Sequence, residues 1–169
     1  MVTIRCTQKL LRRIRSETLV AAPDSDTLLG DWYANILFAR TQHVILCVSE
    51  RTLLPVVVPA RAPAELGARL ADSLQLLLRH LGVSQLHIES EVEKMDPVVF
   101  APTRNKRLLG TINSFMADLS CYLGEHPRCP LLDASLHLAE TPCAPINFDF
   151  PERLVPQLFA TSGARSAMQ

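Results

Sequence analysis

The sequence predicts a single α+β domain: a mainly antiparallel sheet with amphipathic helices packed on a face. Three observations carry that expectation. Tyr33 to Ala39, Val44 to Val48 and Leu53 to Val58 are β-rich runs joined by links too short for parallel crossovers. Pro63 to Leu81 and Lys106 to Leu119 place their apolar residues at helical spacing, with polar residues between. A chain of 169 residues, 48% hydrophobic and 20% charged, suits one core, since folding at that length hides about 70% of the surface an unfolded chain exposes.

Val2 to Cys6 reads as a short strand. Thr7 is placed to cap a short helix carrying Leu10, Leu11 and Ile14 on one side. Ser16 to Asp26 reads as loop, with the turn cluster Pro23-Asp24-Ser25-Asp26 inside it. The next two runs form an antiparallel hairpin about a four-residue loop, Arg40-Thr41-Gln42-His43. Pro55 removes one ladder donor from the third run, so that strand sits at an edge or begins at Val56. The same run is apolar on both faces, and a homodimer covering its edge is the expectation that follows.

Pro63 opens the clearest helix, which carries Leu66, Leu70, Leu74, Leu77, Leu78 and Leu81 before Gly82. A weaker helix spans Ser84 to Met95 and gathers Glu89, Glu91 and Glu93. Asp96-Pro97 interrupts the chain, Val98 to Ala101 is a short strand, and Leu108, Leu109, Ile112, Phe115, Met116 and Leu119 define a helix ending near Gly124. Prolines 127, 130, 142 and 145 then punctuate an irregular stretch, with a strand expected around Ser135 to Leu138. Asp149 and Glu152 have capping-box spacing ahead of Leu154 and Leu158, and Pro156 limits that helix. Residues 1–160 are expected to form the domain and 161–169 a flexible tail.

Several classes are excluded or disfavoured. No apolar stretch approaches the ~20 residues of a membrane span. The opening MVTIRCTQKLLRRIR lacks the charged-then-apolar order of a secretory signal. Five cysteines without a CxxC pair fit reduced thiols and a cytoplasmic protein. Seventeen Lys and Arg balance seventeen Asp and Glu, so no domain-wide basic field exists, only local ones. No GxSxG, GxxxxGK[ST], GxGxxG or HExxH occurs.

Three stretches, IRCTQKLLRR, LLGDWYANILF and TRNKRLLGTINSF, together with the later LAETPCAPINFDFPERL, resemble a bacterial domain-of-unknown-function family, number 6933. The resemblance covers nearly the whole chain and implies relatives rather than a reaction, because that family has no established activity, substrate or cofactor. The sequence departs from it in the longer loop Ser16 to Asp26 and the proline-rich stretch after Gly124.

The leading candidate site is Thr103-Arg104-Asn105-Lys106-Arg107, where a strand feeds a helix whose free N–H groups attract anions. Thr103 or Asn105 is the expected cap, leaving Arg104, Lys106 and Arg107 to grip phosphate or carboxylate. A second basic set, Arg5, Lys9, Arg12, Arg13 and Arg15, precedes any acid. If the two meet, they form a groove for nucleic acid or a nucleotide; otherwise the second is a solvated helix face balanced by Glu89, Glu91 and Glu93. Asp31, Trp32 and Asn35 are pocket candidates, against the plainer reading in which Trp32 closes the core. Cys121, His126 and Cys129 match no zinc spacing, and no metal or cofactor is expected. Binding of an anionic partner is thus the first functional expectation. A protein-interaction module of the toxin–antitoxin or defence kind, and a hydrolase or nuclease assembled from distant residues, are the others.

Overall fold

A computed structural model of the chain describes residues 1–166. The expected meander is present. β2 (Trp32–Phe38) pairs antiparallel with β3 (His43–Ser49), Trp32 opposite Ser49 and Phe38 opposite His43, and β3 pairs antiparallel with β4 (Pro55–Pro59). The hairpin loop is residues 39–42, one residue earlier than its spacing suggested. β1 (Val2–Cys6) and β5 (Val98–Pro102) extend the sheet to the order β4-β3-β2-β1-β5. β1 is parallel to both its neighbours, with Ile4 beside Trp32 and Val2 beside Val98. These partners lie far apart along the chain and need helical crossovers, so no local pattern announces them. The domain is α+β, and the meander supplies the longer registers.

The crossover from β1 to β2 passes through α1 (Gln8–Ile14) and a long loop. That from β4 to β5 uses a 3-10 turn (Pro63–Glu65), α2 (Leu66–His80) and α3 (Gln85–Glu93). α4 (Lys106–Glu125), α5 (Leu131–Ala139) and α6 (Pro151–Ser166) complete the chain. Strand alternation sends Ile4, Cys6, Trp32, Ala34, Ile45, Cys47 and Val56 to one face, under α1, α2, α3 and α6. It sends Tyr33, Val44, Leu46, Val48 and Val57 to the other, under α4. Helices therefore cover both faces, not the one expected, and α2 and α4 lie on opposite sides. Two covered faces also explain a strand apolar on both.

α5 lies along the β4 edge and serves both layers, Ala139 entering the first and Ala134 and Leu138 the second. Its Leu131, Ala134 and Leu138 follow a helical spacing behind Pro130, which overrode the strand expected at Ser135 to Leu138. The β4 edge is closed by chemistry as well as by cover. Val57 N–H, directed away from β3, donates to Ser135 Oγ at 2.9 Å. Two residues to either side stand Pro55 and Pro59, which have no N–H to offer. An open β4 edge was the reason to expect a homodimer, and the edge is not open.

At the far end the capping box does not form. Asp149 Oδ1 accepts from Phe150 N, and α6 opens with Pro151. The helix passes Pro156 and continues through Ser166, into the segment expected to be tail; residues 167–169 lie outside the described part.

Candidate functional site

The site is built on the second face of β1. Because Val2, Ile4 and Cys6 face the first layer, Thr3 and Arg5 project the other way, beneath the loop between α1 and β2. Asp31, just ahead of β2, meets Arg5 there. Arg5 Nε donates to Asp31 Oδ2 at 2.5 Å, with both side chains at most 2% exposed. The other carboxylate oxygen of Asp31 accepts from Ser25 N and Ser25 Oγ, each at 2.8 Å. Ser25 Oγ in turn accepts from Thr3 N, and Thr3 Oγ1 donates to Pro23 O. A buried charge pair of this kind is tolerated only when its remaining hydrogen-bonding capacity is used, and Asp31 uses it fully.

Arg104 arrives from the β5–α4 turn. Its Nη2 donates to Asp24 Oδ1 at 2.6 Å and stands 3.4 Å from Asp31 Oδ2. Arg5 Nη2 lies 3.7 Å from the same Asp24 oxygen, is buried, and has no hydrogen-bond partner. The hydrogen bond from Arg104 and the two positive charges hold the Asp24 carboxyl below its ordinary range, and Asp24 pushes Arg104 up in return. Tyr33 closes one side: its hydroxyl donates to Glu50 Oε1 at 3.5 Å, and burial and Glu50 raise it while Arg104 opposes them. Arg5 and Arg104, one from each expected basic set, are thus brought together, but over two acids.

The remaining cations lie elsewhere. Lys9 Nζ donates to Ile36 O and sits 4.5 Å from the centre of the Phe38 ring; the Arg13 guanidinium lies at the same distance. His43 packs edge-on to that ring at 5.0 Å. Arg13, Phe38 and His43, with Gln42, Arg61 and Pro59, line an open depression of about 440 Å³. β1, β2, β4 and β5 all run in one direction, so the segments leaving them emerge at one end of the sheet. Those segments carry Lys9, Arg12, Arg13, Arg40, Arg61, Lys106 and Arg107, all exposed. Among the described residues none of these seven is in an ion pair. Glu65, an acid at that end, is taken by Arg69. Asp26, Glu50 and Asp96 lie at the opposite end.

Other expectations resolve differently. Asn105 does cap α4, its Oδ1 accepting from Arg107 N and Leu108 N. Thr7 precedes α1 but spends its hydroxyl on Asn35 Oδ1, which also accepts from Ile36 N. Trp32 is wholly buried in the first layer, so the core reading holds for it. The acids of α3 do not balance the N-terminal arginines: Glu91 is buried against Leu28 N and Leu29 N, and Glu89 accepts from Gln85. Among the described residues no three His, Cys, Asp or Glu side chains gather as a metal set, Cys121, His126 and Cys129 included. Among the described residues no histidine is hydrogen-bonded to Arg5, Arg104, Asp24 or Asp31; the one histidine–carboxylate pair, His137 Nε2 with Asp118 Oδ1 at 3.1 Å, joins α5 to α4. Phe38, His43, Arg40 and Arg61 were missed. The signal for them was an arginine in a hairpin turn flanked by two rings, which only pairing makes neighbours of α1.

No helix among the described residues is long and apolar enough to cross a membrane. The chain matches, over residues 3–154, the family model described as Domain of unknown function (DUF6933), and it belongs to that family. No curated protein and no solved structure matches it.

Proposed function

We propose that this member of the unknown-function family binds nucleic acid along the basic end of its sheet, through Lys9, Arg12, Arg13, Arg40 and Arg61 around Phe38 and His43, with Lys106 and Arg107 beside α4. The observation that carries this reading is the set of seven exposed cations without acid partners at one end of a molecule whose formal charge is zero. Cations crowded without counter-ions repel one another, and a polyphosphate backbone relieves that repulsion while releasing its own counter-ions. Phe38, at 37% exposed, and the guanidinium plane of Arg13 supply faces on which bases stack.

The test is binding of single- and double-stranded oligonucleotides across a salt series. Log affinity is expected to fall linearly with log salt, with a slope of about −3 to −4 on duplex if four cations meet phosphates. Arg13→Ala with Arg40→Ala should reduce that slope by about 2. Absence of binding to either form at low salt refutes the reading.

A further inference from the structure

Arg5 Nη2 is, among the described residues, the one buried atom of a charged side chain without a hydrogen-bond partner, and we infer that the Arg5–Arg104 pair forms a seat for a phosphomonoester, at which the Asp24 carboxylate stands in for the ligand. The inference deepens the nucleic-acid reading and rests on it for the identity of the natural ligand, a terminal phosphate of the bound strand.

Three features point there. The first is stoichiometry of hydrogen bonds. Asp24 presents one oxygen, Oδ1, to both guanidinium groups, at 2.6 Å from Arg104 and 3.7 Å from Arg5. That leaves Arg5 Nη2 buried and unsatisfied, a condition that proteins rarely retain without use. A phosphate, with three terminal oxygens, is able to serve Arg5, Arg104 and the Tyr33 hydroxyl together, and arginine forks match its geometry.

The second is the division of the two acids. Asp31 is fully buried and held by Arg5 and Ser25, so it belongs to the scaffold. Asp24 is 75% exposed and makes contact with the site through its side chain. Without it, two guanidinium groups face one carboxylate, and the deficit is one negative charge, which an anion fills.

The third is mechanical. The residues flanking Asp24 are pinned, Pro23 by Thr3 Oγ1 and Ser25 by Asp31. A rotation of the Asp24 side chain therefore clears the seat with the loop in place. Rotations of exposed side chains take nanoseconds or less, so the stand-in does not slow entry.

The experiment titrates inorganic phosphate, then matched oligonucleotides with a 5′-phosphate or a 5′-hydroxyl, into the full chain and into Asp24→Asn and Arg104→Ala. Phosphate is expected to bind the full chain weakly, Asp24→Asn about tenfold more tightly because the competitor is gone, and Arg104→Ala about tenfold more weakly. The 5′-phosphorylated strand should bind more tightly than its hydroxyl counterpart, and Arg104→Ala should erase the difference. A purely structural ion pair predicts the reverse for Asp24→Asn: lower thermal stability and no gain in phosphate affinity, which overturns the inference. Equal binding of the two strands with no phosphate binding overturns the seat and leaves the basic-end reading standing. Phosphate binding without oligonucleotide binding overturns that reading and leaves the seat.

Discussion

Glu91 shows at a single residue how little a sequence position says about its surroundings. In the chain it is the middle member of an acidic run on α3. In the fold it is 3% exposed, and its two carboxylate oxygens accept from Leu28 N at 2.7 Å and Leu29 N at 2.8 Å. Burial raises its pKa, and the two N–H donors offset part of that. A carboxyl whose folded pKa is raised binds its proton more tightly in the folded state. Its contribution is then present below the unfolded value and lost as pH rises through the folded one. Glu91→Gln should accordingly flatten the pH dependence of urea-unfolding stability just above the ordinary glutamate range; an unchanged slope would assign the titration to another group. Glu91→Ala at neutral pH strands both N–H groups and should cost about 2–3 kcal/mol. Asp31, Arg5 and Arg104 were each legible as residues worth naming, whereas their meeting with one another and with Ser25 was not, because the four come from separate segments.

At the scale of elements, local pattern served where neighbours in sequence are neighbours in space. The hairpin, the third strand with its edge proline, α2 and α4 all follow from periodicity and turn residues, because their packing faces repeat within one segment. α5 was misread since its nine residues sit among prolines and carry too short a period to separate helix from strand. The parallel pairing of β1 with β2 and β5 left no mark at all. One contact between elements reverses an ordinary expectation. Gly67 lies inside α2, where alanine normally stabilises a helix by up to about 1 kcal/mol. There a Cβ would overlap Val98 Cγ2 and stand 3.2 Å from Val98 Cβ on β5. Gly67→Ala should instead destabilise by about 1–3 kcal/mol through overpacking, read as a lower urea midpoint. A midpoint at or above the wild-type value would show that α2 is free to shift away from β5.

For the molecule as a whole, the sheet ends at two edges that are managed differently. On the β5 side Leu19 N donates to Phe100 O at 2.9 Å, so the loop after α1 covers that strand. On the β4 side two prolines and Ser135 dispose of the outward donors. Ser135→Ala leaves Val57 N–H bare, should cost about 1–2 kcal/mol, and exposes a strand template. Concentration-dependent association of the variant, and not of the parent, is the expected result in sedimentation; a variant as monodisperse as its parent would place the block in the prolines and α5 alone.

By itself the sequence determined the α+β class, the meander, the main amphipathic helices and the family. It also determined that an uncharged total hides basic segments, since these properties are sums or short-range periods. Whether those segments meet each other or meet acids is a question about distance in space. Only the tertiary structure decided it, and in two ways. Arg5 and Arg104 converge on Asp24 and Asp31 because the parallel strands β1 and β5 lie side by side, with Arg5 opposite Ala101. Lys9, Arg13, Arg40 and Arg61 emerge at one end without ion-pair partners because β1, β2 and β4 point one way and deliver their exits there. Register and strand direction are set by long-range pairing, and no stretch of this chain encodes them locally.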